Sequence, residues 1–385
     1  MNFCGEERSI LFLSSYPPRE CGIATFTQEL THAIRKNFSG VSVKILALND
    51  DEKTTYNYPE EVVQYMNSTN VQDYIEMADK INEDDTISVV SIQHEFELYG
   101  GICGDYLLYF LNNLQKPVIT TMHTVFPEPE KKRREVVKTI ASRSEYIIVM
   151  CNTASEILQK EYNVNVKKIR VIPHGVPSLP YMPNTQVKSK IGYGDKLLLF
   201  SFGLISSFKG YEVVIEGLPE VIKEYPNLLY IIAGKTHPVV MKNEGENYRK
   251  MLQEKIEDLN LENNVKLYNK YLPREELLRF LQAADIYISS NTHPHQVTSG
   301  TLTYAMGCGR VVVSTPYLYA KEMLIPDRGL LAEFNNPESF KSAILKLLRN
   351  PELRERMGWE AYEYTRKMVW PEIAKKYVKI FIDVG

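Results

Sequence analysis

At 385 residues the chain exceeds one ordinary hydrophobic core, and its length predicts about two domains. Apolar residues make up 44% and charged residues 24%, without low-complexity tracts, which excludes a disordered or fibrous chain. A formal net charge of -3 gives no global attraction to nucleic acid, so none is expected as a partner.

From Ser9 to Ile172, short β-branched and aromatic runs alternate with amphipathic segments of helix length, the pattern of parallel β-α units. Strands are predicted at 10–14, 41–47, 87–92, 118–121, 146–150 and 169–172, and helices at 24–36, 71–81, 105–114, 131–141 and 153–161. The basic run Lys131-Lys132-Arg133-Arg134 opens one helix behind Pro127 and Pro129 and reads as a solvated face. Pro173, Pro177, Pro180 and Pro183 then crowd a stretch that neither helix nor central strand tolerates, which marks an interdomain linker. Beyond it the alternation restarts, with strands predicted at 197–202, 228–233, 265–267, 286–290, 311–314 and 329–333. After Phe334 only helices are expected, at 337–349, 351–367 and 371–382, each with proline at or near its first turn.

The expected fold class is α/β, with doubly wound domains at 1–176 and 177–368 and a last helix in 369–385 that crosses back to the first. Ligands of open α/β sheets sit beyond the carboxyl ends of the strands, so two facing sheets are expected to share one cleft. Cys4, Cys21, Cys103, Cys151 and Cys308 are scattered without metal-type spacing, and the longest apolar runs have strand length. A reduced, cytoplasmic setting is expected, with no export signal and no membrane span, leaving peripheral association open.

The most informative stretch runs from Ser289 to Thr315: a strand, a polar loop, a helix start and a second strand. Thr298 or Ser299 can cap that helix, leaving the N–H groups near Gly300 and Thr301 free for a phosphate or diphosphate. An isolated Ser-Gly-Thr is more often a packing device, and what surrounds it reverses that preference. Gly203 ends another strand, and Lys209 follows just before the next helix, where it can neutralise a phosphate. In the first half, Gly22 sits at a helix start behind Pro17-Pro18, His94 and Glu95 end one strand, and His123 ends the next. The loops lack a G-x-G-x-x-G fingerprint, and no acidic residue ends the second strand, which disfavours a nicotinamide cofactor.

Taken together, these landmarks resemble glycosyltransferase family 4, retaining enzymes of the GT-B fold with two facing Rossmann-like domains. The resemblance rests on Pro17 through Gly22, on His123, on Ile172-Pro173-His174-Gly175-Val176, on Gly203 through Lys209-Gly210, and on Tyr304-Ala305-Met306-Gly307-Cys308-Gly309. It departs from the family where Gln296 and Tyr304 occupy the places of a glutamate pair, and where Leu204 replaces an arginine. The resemblance implies a hexosyltransferase that moves a sugar from a nucleotide-sugar donor to a carbohydrate or other hydroxyl acceptor with retention, without a cofactor or metal. It implies that His123 binds the donor sugar near the reacting carbon, that Gly22 borders donor phosphate and acceptor, and that His94 and Glu95 lie on the acceptor side. Gly203, Lys209, Ser299, Gly300 and Thr301 would hold the diphosphate, while Gln296 and Tyr304 would hydrogen-bond sugar or ribose hydroxyls. A glycoside phosphorylase and a non-catalytic sugar or nucleotide-sugar binder are the alternatives on the same fold.

Overall fold

The computed structural model describes residues 8–50 and 56–385, so Cys4 lies outside the described residues. The chain divides into two compact units: Met1–Gly175 with Trp370–Gly385, and Val176–Val369.

Unit 1 is built on a parallel sheet of β1 (Ser9–Ser14), β2 (Ser42–Asn49), β3 (Val62–Asn67), β4 (Ile87–His94), β5 (Val118–Met122), β6 (Tyr146–Val149) and β7 (Ile169–Val171). Their order is β3-β2-β1-β4-β5-β6-β7. A parallel sheet covered on both faces selects continuous apolar runs, and every residue of β1 is accordingly buried. β3 breaks this pattern: Val63, Gln64 and Tyr65 are exposed at the sheet edge. It holds its place through the β2 ladder, a contact far away in sequence, which is why no apolar run announces it.

The chain's last helix, Trp370–Val384, belongs to unit 1, where Ile373, Ala374, Tyr377, Val378 and Phe381 are buried in the core shared with β1 and the helix Gly22–Asn37. Tyr377 Oη lies 3.1 Å from Thr121 Oγ1, and Phe381 meets Phe12 edge-on with ring centroids 5.8 Å apart.

Unit 2 repeats the architecture with β8 (Leu197–Phe202), β9 (Leu228–Ala233), β10 (Val265–Tyr268), β11 (Ile286–Ser289), β12 (Val311–Ser314) and β13 (Gly329–Leu331). The order is β10-β9-β8-β11-β12-β13. The proline-rich stretch expected as a linker is pinned onto unit 2: Tyr362 Oη donates to Leu179 O at 2.8 Å and Arg310 Nη2 to Met182 O at 2.8 Å. Both sheets reverse their strand order once, between β1 and β4 in unit 1 and between β8 and β11 in unit 2. At such a switch point the connecting helices leave on opposite faces, which opens a crevice at the carboxyl strand ends. Among the described residues, no helix is long and apolar enough to cross a membrane.

Candidate functional site

In unit 2 the chain passes from β8 into Gly203 and reaches Lys209 through the short 3-10 turn Ser207–Lys209. Gly203 has φ 131°, a conformation that side chains oppose, and this turns the loop back over the strand end. The loop is tied to the neighbouring switch-point strand: Ser290 Oγ donates to Lys209 O at 2.7 Å, and Thr292 N–H to Phe208 O at 2.9 Å. Gly210 completes the anchor in the left-handed region, φ 58°, where a Cβ would come 2.5 Å from Ser290 O.

Beyond β11 the loop 290–299 leads into the helix Gly300–Gly307. Ser299 caps it in extended conformation: its Oγ accepts from Leu302 N–H at 3.3 Å and its carbonyl from Thr303 N–H at 3.1 Å. Such a cap contributes about 1 kcal/mol. Among the described residues the Gly300 and Thr301 amides meet no acceptor, which leaves two donors at the positive end of the helix. Thr301 and Lys209 then converge on Gly203: a Cβ built there would lie 3.6 Å from Thr301 Cγ2 and 3.9 Å from Lys209 Nζ. Lys209 makes no salt bridge among the described residues, and burial lowers its pKa from the usual lysine value. An ammonium without a paired carboxylate among the described residues and two free amides make a site for an anion with more than one oxygen.

A buried hydroxyl layer lies beneath that helix start. Tyr317 Oη meets Ser289 Oγ at 3.0 Å, and Thr303 Oγ1 meets Tyr319 Oη at 2.9 Å. These tyrosines escape a sequence reading because nothing in their spacing separates them from ordinary core aromatics. Gln296 folds onto its own loop, donating from Nε2 to Thr298 O at 2.7 Å, and Tyr304 is buried within the helix Gly300–Gly307.

Unit 1 carries its polar groups at the ends of β4 and β5. His123 Nε2 lies 3.0 Å from Gln93 Oε1, and its ring meets the Phe26 ring edge-on at 4.9 Å. With the amide oxygen facing it, Nε2 donates, and Nδ1 carries the free lone pair. Burial, with His174 and His94 nearby, depresses the His123 pKa to about 3, so the ring is neutral at physiological pH. His94 is fully enclosed between Phe96 and Tyr99, and neither ring nitrogen has a protein partner. Half-buried Glu95 accepts from Phe96 N–H at 2.9 Å and from the Thr124 hydroxyl. Burial raises its pKa above the usual carboxylate value. Gly22 opens its helix with no atom within 4 Å of an added Cβ, so packing does not explain that glycine. Structure thus brings Gly203, Lys209, Ser299, Gly300 and Thr301 together in unit 2, and Gln93, His94 and His123 in unit 1.

Comparison with known proteins matches residues 21–178 to the model of Glycosyltransferase Family 4 and residues 184–364 to that of Glycosyl transferases group 1. An uncharacterized glycosyltransferase, MJ1069 of Methanocaldococcus jannaschii, is 27% identical over 255 residues, 64% of this chain and 61% of that protein. A D-inositol 3-phosphate glycosyltransferase of Corynebacterium urealyticum is 24% identical over 66% of this chain and 60% of its own length. The matches thus span about three fifths of the length of these curated relatives. Among solved structures, Anabaena Alr3699/HepE in complex with UDP superposes with a TM-score of 0.74 at 15% identity, covering 97% of this chain and 100% of that one. Sucrose-phosphate synthase from Thermosynechococcus elongatus gives 0.77 at 15% identity, covering 98% and 99%. With two family matches in succession and a Rossmann-like sheet under each, the chain belongs to the GT-B glycosyltransferases.

Proposed function

We propose that this protein transfers a hexosyl unit from a nucleoside-diphosphate sugar to a hydroxyl acceptor, with retention and without a metal. The observation that carries the reading is the convergence of Lys209 Nζ and the Thr301 side chain on Gly203, at the helix start that carries the free amides, in a chain of glycosyltransferase family. As the anomeric C–O bond breaks, negative charge grows on the departing diphosphate. An ammonium and two oriented N–H groups stabilise that charge without reorganising, and removing one such contact costs roughly 2–4 kcal/mol. Uracil is the first base to test, because solved GT-B neighbours carry UDP.

His123 is assigned to the donor sugar as a neutral acceptor of a hydroxyl hydrogen bond, through Nδ1. Gly22 is assigned to the loop bordering phosphate and acceptor. The acceptor side is assigned to half-buried Glu95, with His94 enclosed behind it. Gln296 and Tyr304 are assigned to sugar or ribose hydroxyls.

Binding of UDP measured calorimetrically in the parent and in Lys209→Ala tests the anion site. The expectation is a loss of at least tenfold in affinity; equal affinity overturns the diphosphate assignment. Turnover across a panel of UDP-sugars, repeated in excess chelator, tests transfer and metal independence. Turnover of a disaccharide with inorganic phosphate and none with any nucleotide-sugar would show a phosphorylase instead.

A further inference from the structure

Unit 2 contains a cavity of about 170 Å³, at the amino-terminal ends of β11 and β12 and therefore at the opposite sheet edge from Lys209 and Gly300. A single water needs roughly 10–15 Å³, so the space suits a ligand of several heavy atoms. Its walls include Tyr181, Asn184, Asp285, Arg310, Arg354 and Glu355.

Positive charge in this wall is out of balance. Asp285 is committed elsewhere: its carboxylate accepts from Lys188 Nζ at 2.8 Å, Asn184 Nδ2 at 2.6 Å and Leu198 N–H at 2.7 Å. Buried Arg310 spends its donors on backbone carbonyls, those of Cys308 at 3.0 Å and Met182 at 2.8 Å, and has no salt bridge among the described residues. Arg354 reaches Asp285 at 3.8 Å and makes no side-chain hydrogen bond among the described residues. Glu355 is exposed, where solvent screens its charge. Lys188 and Arg354 share the one buried carboxylate of Asp285, so with Arg310 three cations face a single buried counterion among the described residues. Taking an under-matched guanidinium out of water is costly, and the forked donors of Arg354, unlike those of Arg310, remain free to fit the oxygens of phosphate or carboxylate.

We propose that this cavity binds a small oxyanion, as free phosphate or as the phosphate or carboxylate of a small metabolite, at a site separate from the diphosphate site. Tyr181 forms the inner wall, with the Arg310 guanidinium 5.9 Å from its ring centre. Trp359, half in solvent on the same helix as Arg354, packs edge-on against Tyr181 at 4.9 Å.

Binding of inorganic phosphate, citrate and glucose 6-phosphate is measured at low salt by calorimetry in the parent, Arg354→Gln, Arg354→Lys and Lys209→Ala, with melting curves confirming that each variant is folded. Saturable binding of at least one oxyanion is expected, weakened tenfold or more by Arg354→Gln, partly kept by Arg354→Lys and unchanged by Lys209→Ala. Phosphate binding with citrate excluded assigns a tetrahedral anion, and the reverse a carboxylate. A larger affinity for glucose 6-phosphate than for phosphate identifies the anion as part of a metabolite. Absence of binding in the folded parent, undiminished binding in folded Arg354→Gln, or loss confined to Lys209→Ala overturns the proposal.

Discussion

At the scale of single residues, Gly300 separates an anion site from a packing device. It occupies the first helical position after the Ser299 cap, beside the free amides. On the proposed diphosphate site, a side chain there would crowd the ligand at the free amides, and as the first helical residue it interrupts no bond of the helix interior. Gly300→Val is expected to abolish UDP binding while lowering the melting temperature by no more than a few degrees. A large fall in melting temperature with the affinity of the folded fraction intact would mark a packing glycine. His94 carries a different prediction. Burial depresses its pKa to about 4, and those of His123 and His174 to about 3 and about 4. The unfolded chain therefore takes up protons near pH 6.5 that the folded chain refuses. The contribution of these histidines to the stability of unit 1 is complete above that pH and is lost as pH falls toward 4, because unfolding frees rings that then take up protons. Since neither ring nitrogen of His94 has a protein partner, His94→Phe is expected to stay within about 1 kcal/mol of the parent at pH 7.5. The same variant should lose stability less steeply between pH 6 and 4.5, in urea unfolding. An unchanged pH slope would show that His94 is not buried neutral.

At the scale of elements, the last helix of the chain is the sharpest case of a distant contact completing a core. Trp370 begins it and packs against Gly175, His174 and Phe26, with ring centroids 5.8 Å and 5.3 Å from the latter two. Trp370→Ala is expected to destabilise unit 1 by about 3–5 kcal/mol through the cavity it leaves. Trypsin cleavage mapped by mass spectrometry should then rise in unit 1 and stay at the parental level in unit 2; even cleavage across both units would contradict this placement. Strands buried on both faces were legible because burial demands apolar runs, as in β1, β8 and β9. β3 was not, because an edge strand takes its stability from one neighbour. The helix start at Ser299–Gly300 was legible from a cap residue followed by a small one. The tie between the Lys209 loop and Ser290–Thr292 was not, since a hydroxyl reaching a backbone carbonyl across 81 positions leaves no local pattern. The enclosure of His94 was equally hidden, because Phe96 and Tyr99 close over it only once the loop has turned.

At the scale of the whole molecule, two units with separate cores make ligand effects local, and this is where the diphosphate assignment is most exposed. A ligand held at about 100 times its dissociation constant stabilises the state it binds by about 2.7 kcal/mol. That stabilisation reaches first the openings it suppresses, so it reads out as slowed amide exchange. With saturating UDP, protection is expected at residues 203–210 and 300–303, whose backbones form the anion site, and across the β8 and β11 strand ends that carry them. The walls around Arg310 and Arg354 lie at the other sheet edge and should exchange at the parental rate until phosphate or citrate is added. Each ligand thus serves as the control for the other. If UDP instead slows exchange around Arg354 and leaves 300–303 untouched, the helix start at Gly300 is a packing feature and the diphosphate binds in the cavity beside Arg354.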